Sequence, residues 1–366
     1  MKTALLRRII GLSLTCCGLL AVPLLALDRP GREFKIYQFP AAAIPRIDGN
    51  DDDWSMVPES YEIGTSELWD STGKIEGIQP ESLDVRVRVG WVKGMNRLYF
   101  LYEAYDDYWD FSRPGLRNDT FEVVVDGDLS GGPFVDKFRI NEDILSREEA
   151  YFTIHSVHAQ NYHIFTPARE KSWAMFWGIQ QWLKSLPYSN VVYRYDFEPG
   201  ESGRLTMEFY ITAYDHASPK GAAYSTQSTF EENKVIGLCW AIIDYDDATS
   251  ERSSGFWNLS SSHTMFGKAD ELVAFRLMPL EDEHVPAIEA AWDFSVIDRQ
   301  RRVVAFHDKS IGEVDGWHWD FGDETTSTEQ HPVHTYAEGG KYVVVLTVEG
   351  PQGTSRFSRV WDVSLP

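Results

Sequence analysis

The sequence predicts an all-β protein made of two β-sandwich domains, and three observations lead to this fold class. Segments rich in β-branched and aromatic residues alternate apolar and polar side chains with period two, as in LDVRVRVGW at residues 83–91. Turn-forming residues separate these segments at short intervals, which is typical of a sandwich. An acidic stretch between prolines interrupts the pattern at residues 279–286. We therefore expect a larger domain at 34–280, a linker at 281–286 and a smaller domain at 287–366.

The first 27 residues have the pattern of an export signal. A basic pair at residues 7–8 precedes an apolar run over residues 9–27. Either the chain is cleaved after the small residue Ala26, or the run remains as a membrane anchor. Acylation at Cys16 or Cys17 fits less well, because no small residue directly precedes them. The protein is predicted to be bacterial and secreted, periplasmic or at the cell surface, with membrane contact only through an uncleaved anchor.

The charge and cysteine content exclude several classes of partner. The net charge is −22, from 34 basic and 56 acidic residues, and phosphate binding needs clustered basic residues. Nucleic acid is therefore not an expected partner. Beyond the signal only Cys239 remains, so no intramolecular disulfide and no cysteine-based metal site is predicted.

The larger domain is predicted to be an antiparallel sandwich with one helical insertion. Strand-like segments recur at residues 83–91, 97–104, 120–126, 191–197, 204–212, 235–244 and 272–277. Between them, large apolar side chains at residues 170–186 recur near helical spacing. We expect an amphipathic helix there, packed on the outside of the sandwich.

The smaller domain carries four blocks in a characteristic order. They are VAFHDKS at 304–310, GWHWDFGD at 316–323, PVHTY at 332–336 and GKY at 340–342. This order resembles the PKD family, immunoglobulin-like sandwiches that act as spacers or auxiliary binding units. Alternation puts Trp317 and Trp319 on one strand face, so both are expected in the core. Glu324 stands where the family usually has glycine, which implies a different turn.

The larger domain also carries ordered blocks. They are IDGNDDDW at 47–54, NDTFEVVVD at 118–126, FRIN at 138–141 and MEFYI at 207–211. These resemble the family 9 carbohydrate-binding module and its DOMON-like relatives. The resemblance implies that the domain binds a polysaccharide chain between aromatic rings, with polar groups along the edge.

The resemblance also indicates which residues form the ligand site. Glu122 and Arg139 match polar edge residues of the family site. The two tryptophans that sandwich the sugar in the family fall near Leu116 and Ser260, so neither is retained. The nearest rings able to replace them are Trp109 and Trp257. The predicted ligand-binding residues, expected at one loop end, are Trp109, Glu122, Arg139 and Trp257.

Family members often bind calcium, so the resemblance implies one structural calcium ion and no other cofactor. The predicted ligands are Asp48, Asp52 and Asp53 in the first turn, because calcium requires clustered oxygen atoms. Two further acidic clusters remain as alternatives. They are Asp126 with Asp128, and Asp244 with Asp246 and Asp247.

The sequence offers no catalytic residues. It has no Gly-x-Ser-x-Gly elbow, and no two carboxylates stand out as a glycosidase pair. We therefore expect a non-catalytic binding protein for extracellular polysaccharide. The alternatives are a spacer or assembly module of a surface complex, a haem carrier with a methionine ligand, and a glycosidase.

Overall fold

The computed structural model describes residues 27–130, 146–284 and 288–362. The chain forms two compact units, divided between Leu280 and Glu281. Both units consist mainly of β-strands, which confirms the predicted all-β fold class with two sandwiches. No helix within the described ranges is long and apolar enough to cross a bilayer. Apart from Leu27, the predicted signal or anchor lies outside these ranges.

The N-terminal unit contains fifteen strands and one α-helix within the described residues. The strands are β1 (Asp28–Gln38), β2 (Ile63–Gly64), β3 (Trp69–Asp70), β4 (Leu83–Trp91), β5 (Arg97–Asp106), β6 (Thr120–Asp126), β7 (Gln160–Phe165), β8 (Ala174–Phe176), β9 (Ser189–Arg194), β10 (Gly203–Thr212), β11 (Tyr214–His216), β12 (Thr226–Gln227), β13 (Val235–Asp244), β14 (Gly255–Asn258) and β15 (Val273–Leu277). The helix is α1 (Arg147–Ile154). Short 3₁₀ turns are Asp51–Trp54, Glu59–Tyr61, Thr65–Glu67, Gln181–Lys184, Ala222–Tyr224, Met265–Gly267 and Ala269–Glu271.

Strand β1 connects the two sheets of this unit. The first sheet has the order β8-β7-β6-β13-β15-β1 with β14 beside β13, and the second has the order β1-β4-β5-β10-β9 with β2 beside β4. The first part of β1 pairs with β15, and its last two residues pair with β4. Both pairings are parallel, whereas the other strand pairs of the unit are antiparallel. The predicted antiparallel order therefore holds except at β1.

The core lies between the two sheets and is filled by alternate strand residues. In β4 the apolar positions are buried while Arg86 between them is exposed. Phe100 of β5 stacks on Phe209 of β10, with ring centroids 4.4 Å apart. Phe121 of β6 meets Phe209 edge to face at 5.9 Å, so rings from both sheets interlock. Each such buried ring contributes about 1.5–3 kcal/mol.

The helix predicted over residues 170–186 is wrong. This segment contains β8 and the 3₁₀ turn Gln181–Lys184 instead. Gly178 between them has φ of +153°, which a helix cannot contain. Trp173 and Trp182 donate their indole N–H groups to backbone carbonyls at 3.0 and 2.9 Å. The rings therefore attach an extended segment to the core, and their helix-like spacing is coincidental.

The α-helix of the unit lies earlier, at α1, where the sequence analysis placed none. Ser146 caps it by accepting a hydrogen bond from the Glu149 backbone, and the Glu149 carboxylate accepts one from the Ser146 backbone. This capping box is a readable sequence signal for a helix start.

The C-terminal unit contains two facing sheets. Its strands are β16 (Trp292–Asp298), β17 (Val303–Asp308), β18 (Gly316–Asp320), β19 (Thr326–Ser327), β20 (Val333–Thr335), β21 (Lys341–Gly350) and β22 (Gly353–Asp362). A further 3₁₀ turn spans Asp282–His284. One sheet has the order β16-β17-β20 and the other β19-β18-β21-β22.

The two tryptophans of β18 differ in burial. Trp319 is fully buried, as predicted, and its indole donates to the Glu329 carbonyl at 2.9 Å. Trp317 is only half-buried and donates to the Asp308 carboxylate at 2.8 Å, so the prediction that it is buried is wrong. Its position near the edge of the core allows its polar atom to reach a carboxylate.

Glu324 has φ of +68°, in the left-handed region that glycine usually occupies.

Candidate functional site

The two tryptophans predicted to face a ligand are core residues. Trp109 is 1% exposed, stacks on Phe197 at 5.0 Å and donates to the Gly203 carbonyl at 3.0 Å. Trp257 is 4% exposed and donates to the Asp244 carboxylate at 3.4 Å. Neither ring offers an open face, so their assignment as ligand-binding rings is wrong. Both follow the rule that the N–H group of a buried indole usually finds a hydrogen-bond acceptor.

Glu122 lies in a buried polar cluster on the outer face of β6 and β7. Its carboxylate is 3.2 Å from His163 Nε2 and accepts a hydrogen bond from the Asn161 amide at 2.9 Å. The registered pairing of β6 with β7 places His163 directly opposite Glu122. Glu122 and His163 are 1% and 3% exposed. Arg139, the predicted partner of Glu122, lies outside the described residues.

The electrostatics of this cluster keep Glu122 ionised. Burial opposes the charge, but His163 and the hydrogen bonds from His163 and Asn161 outweigh it, so the pKa of Glu122 is lowered. Burial lowers the pKa of the neighbouring His155 to about 3, despite the opposing charge of Glu122. At neutral pH the cluster therefore holds the ionised Glu122 carboxylate, and the lowered pKa of His155 leaves that imidazole neutral.

Several buried polar atoms in and beside this cluster have no hydrogen-bond partner within the described part of the chain. They are Asn161 Oδ1, His163 Nδ1, Trp177 Nε1 and both amide atoms of Gln180. Buried polar groups are normally paired, and an unpaired one costs about 1–3 kcal/mol. Such a concentration indicates a place for water or for a polar ligand.

A groove of about 480 Å³ lies next to this cluster. It is lined by one face of α1 and by Trp177, and the lining residues are Glu148, Glu149, Tyr151, Phe152, Thr153 and Trp177. The Trp177 ring is 5.1 Å from the His163 ring, and the Tyr151 ring is 4.7 Å from the His155 ring. Trp177 thus lines the groove and also contacts the buried Glu122 cluster through His163.

Most of this groove was not predicted from the sequence. Trp177 was expected in a helix and Tyr151 and Phe152 in a strand-like stretch, whereas the capping box was the signal that could have located α1. His163 and Asn161 give no local sequence signal, because only the pairing of β6 and β7 brings them to Glu122.

The predicted calcium ligands do not come together. Asp48 accepts a hydrogen bond from the Asn50 backbone at 2.9 Å, and Asp53 accepts one from the Arg46 backbone at 2.9 Å. Asp52 accepts from the Asn50 side chain at 3.0 Å. These carboxylates organise the turn itself, and they do not form a group of neighbouring ligand atoms within the described ranges. The predicted ligand set Asp48, Asp52 and Asp53 is therefore wrong.

A different acidic cluster does form at the strand ends. One carboxylate oxygen from each of Asp106, Asp119 and Asp244 lies within 4.8 Å of the others. Asp106 ends β5, while Asp119 precedes β6 and Asp244 ends β13, so both sheets contribute. An overlapping group joins Asp106 to the exposed Asp107 and Asp246. Of these residues, Asp244 and Asp246 were predicted from the sequence as alternative metal ligands.

The buried part of this acidic cluster is electrostatically strained. Burial raises the pKa values of Asp106, Asp119 and Asp244, and the charges of neighbouring aspartates raise them further. Burial raises the pKa of Tyr102 as well, and the charges of the three carboxylates raise it further. Within the described residues, the Tyr102 hydroxyl and Asp244 Oδ1 have no hydrogen-bond partner.

Comparison with known proteins identifies the C-terminal unit. Collagenase ColA of Bacillus cereus is 52% identical over 42 residues, which are 12% of this chain and 4% of the collagenase. The chain thus spans a small part of the curated relatives it matches. The solved PKD1 domain of Vibrio anguillarum Epp is 30% identical, covering 22% of this chain and 96% of that chain, with a TM-score of 0.20.

A solved family 9 carbohydrate-binding module from Caldicellulosiruptor kristjanssonii, in complex with cellotriose, is 12% identical to this chain. The alignment covers 69% of this chain and 97% of that chain, with a TM-score of 0.41.

Residues 283–364 match the family model of the PKD domain. The C-terminal unit of this chain is a PKD domain.

Proposed function

We propose that the N-terminal unit binds extracellular polysaccharide in the groove beside Glu122. The observation that carries this proposal is the concentration of buried, unpaired polar atoms next to accessible aromatic surface. A sugar unit presents hydroxyl groups around its edge and C–H groups on its faces. It can therefore pair with the polar atoms while its face lies on a ring. The motif blocks that resemble the family 9 carbohydrate-binding module support the same ligand class.

The groove combines aromatic rings with carboxylates. Trp177 contacts His163 of the polar cluster, and Phe152, which is 42% exposed, also lines the groove. Glu148 and Glu149 line it from α1. Carboxylates can accept hydrogen bonds from sugar hydroxyls, and their charge repels an acidic chain. The proposed ligand is therefore a neutral polysaccharide.

We further propose that the site is non-catalytic. Glycoside hydrolysis requires a carboxyl with a raised pKa as proton donor. The pKa of Glu122 is lowered, as described above. Hydrogen bonds from Ser146 lower the pKa of the exposed Glu149. Both carboxyls are therefore ionised, which suits hydrogen bonding to a ligand and does not suit proton transfer.

The test is a glycan array with the full chain, followed by calorimetric titration of the glycans that bind. Trp177→Ala removes the ring beside His163, and Phe152→Ala removes the exposed ring of α1. Tyr224→Ala is the matched control, because Tyr224 is 65% exposed and is not part of the groove lining. We expect both groove variants to weaken binding by about two- to tenfold, since a stacked ring contributes about 0.5–1.5 kcal/mol. The control should bind like the parent.

Two results would contradict the proposal. One is binding that the groove variants leave unchanged while Tyr224→Ala reduces it. The other is a folded protein that binds no glycan on the array, which would favour the alternative of a spacer or assembly module. Circular dichroism of each variant separates loss of binding from loss of folding.

We propose that the protein acts outside the cytoplasm, secreted, in the periplasm or at the cell surface. The PKD domain supports this location, and its role would be that of a spacer or auxiliary module beside the binding unit. Fractionation of cells that express the full chain would test it. Recovery from the cytoplasm alone would contradict the proposed location.

A further inference from the structure

We propose that a pocket beside β1 binds the carboxylate group of a sugar acid, such as a uronic acid unit. The pocket has a volume of about 170 Å³. Residues 32–35 of β1 line one part of it, and residues 60–63, which lead into β2, line another together with Glu67. The pocket shares no residue with the groove beside Glu122, so this proposal does not rest on the function proposed for that groove.

The path of β1 between the two sheets leaves a backbone donor at this pocket. β1 pairs with β4 only through its last two residues, while β2 occupies the preceding part of the same edge of β4. The Ile36 carbonyl accepts a hydrogen bond from the Met278 amide on the β15 side, whereas Tyr37 pairs on the β4 side. Backbone groups of successive strand residues point to alternate sides, so the Lys35 N–H points away from β15. Strand pairing does not use it.

Two cations line the pocket, and each lies over a ring that also lines it. Arg32 Cζ is 4.8 Å from the centre of the Phe34 ring, and Lys35 Nζ is 5.8 Å from the centre of the Tyr61 ring. Both rings are buried, while both cations are exposed. The rings therefore hold the two positive groups near the pocket and leave them open to solvent.

The carboxylates of the pocket do not neutralise Lys35, because each is already paired with arginine. The pairs are Glu67 with Arg29 and Arg32, Glu62 with Arg88, and Glu33 with Arg276, at N–O distances of 2.5–2.7 Å. No ion pair of Lys35 occurs among the residues described. Arg32 also retains donors, because the guanidinium carries five N–H groups and uses one on Glu67. A bound carboxylate would pair with Lys35 and with these remaining donors.

The other lining residues favour a sugar acid over other anions. Phe34, Tyr61 and Ile63 supply apolar surface for the C–H groups of a sugar ring. The Ser60 hydroxyl and the lining carboxylates can accept hydrogen bonds from sugar hydroxyls. The same carboxylates repel an anion that carries more than one charge, such as phosphate. A singly charged carboxylate beside hydroxyl groups satisfies both conditions.

The size of the pocket and its local charge limit what it can take. Its volume of about 170 Å³ equals that of about six water molecules at about 30 Å³ each, so it accommodates the acidic end of one unit. The chain as a whole has a net charge of −22, which opposes anions. At physiological ionic strength, exposed charges are screened beyond about 8 Å, so Arg32 and Lys35 dominate at the pocket.

The test is calorimetric titration of the full chain with glucuronate, glucose and N-acetylglycine. Glucose lacks the carboxylate, and N-acetylglycine carries the carboxylate of a peptide end without sugar hydroxyls. We expect glucuronate to bind with a dissociation constant of about 1 mM, as is usual for so small a ligand, and N-acetylglycine to bind more weakly. Lys35→Gln should weaken glucuronate binding about tenfold and leave the response to glucose unchanged.

Lys220→Gln is the matched control, because Lys220 Nζ also lies 5.8 Å from the centre of a tyrosine ring, that of Tyr224, and does not line the pocket. This variant should bind glucuronate like the parent. Both lysines are exposed, and circular dichroism checks that both variants fold.

Three results would overturn the proposal: a parent that does not bind glucuronate, an equal effect of Lys35→Gln and Lys220→Gln, or tighter binding of N-acetylglycine than of glucuronate. The last result would replace the sugar acid by a peptide carboxylate. Binding of neutral glycans in the Glu122 groove does not depend on Lys35, so failure of this pocket and failure of that groove are distinguishable.

Discussion

Replacing Trp319 with alanine should destabilise the PKD domain more than any other single ring removal in its core. Trp319 is fully buried, and its ring lies 5.7 Å from Trp292 and 5.6 Å from Phe306. Removing a buried tryptophan ring costs about 3–5 kcal/mol. The Glu329 carbonyl also loses its indole donor, which adds about 1 kcal/mol. A unit of this size has a total stability of about 4–12 kcal/mol, so the variant would be marginally folded.

Scanning calorimetry of the full chain is the appropriate assay, because each unit can give its own transition. For a small domain about 1 kcal/mol shifts the melting temperature by roughly 4–8 °C, so the PKD transition should fall by more than about 10 °C. Trp319→Phe keeps most of the apolar volume and should cost only about 1–2 kcal/mol. Trp317→Ala is the control, since that ring is half-exposed and should cost less than Trp319→Ala. An equal or smaller effect of Trp319→Ala than of Trp317→Ala would refute this account of the core.

Three further outcomes are expected. Glu208→Ala should lower the free energy of unfolding of the N-terminal unit by about 3 kcal/mol, because this buried carboxylate accepts hydrogen bonds from the Trp54 indole at 3.0 Å and the Gly49 amide at 2.7 Å. An unchanged melting temperature of that unit would contradict this. Gly322→Ala should cost the PKD domain about 1–3 kcal/mol by calorimetry, since φ is +78° and the added Cβ would lie 2.7 Å from a backbone oxygen. Burial opposes ionisation of Asp308, but its hydrogen bonds hold its pKa below 3.8. The contribution of Asp308 to stability is thus complete above about pH 4 and is lost as pH falls through the lowered pKa. In the Asp308→Asn variant, the melting temperature of the PKD domain should therefore fall less steeply than in the parent as the pH decreases below about 4.

Local pattern was sufficient for most of the fold. Alternation along LDVRVRVGW and GWHWD predicted strands, and these segments are β4 and β18. The spacing of apolar residues gave a wrong prediction where a helix and an irregular extended segment have the same spacing. The rings at 170–186 repeat every three or four residues, yet Gly178 imposes an extended conformation and the rings anchor a loop. The capping box at 146–149 was the better helix signal, because it specifies hydrogen bonds and spacing does not.

The candidate site could be predicted only in part, for a similar reason. Glu122 was identified from its motif, and the structure places it in a buried polar cluster. Trp109 and Trp257 were chosen because they are close in sequence to that motif and to the final loop. Whether a ring near a strand end faces solvent or the core depends on what packs against it. Here Phe197 covers Trp109, and it comes from a distant part of the chain.

By itself the sequence determined the all-β class, the identity of the PKD domain and the acidic, cysteine-poor character of the chain. These follow from periodicity, ordered motifs and composition, all of which can be read locally. Only the tertiary structure brought His163 opposite Glu122, and Asp106 beside Asp119 and Asp244. Those groups depend on strand register and on the closure of two sheets. Such contacts join residues tens to more than a hundred positions apart, and no local pattern specifies them.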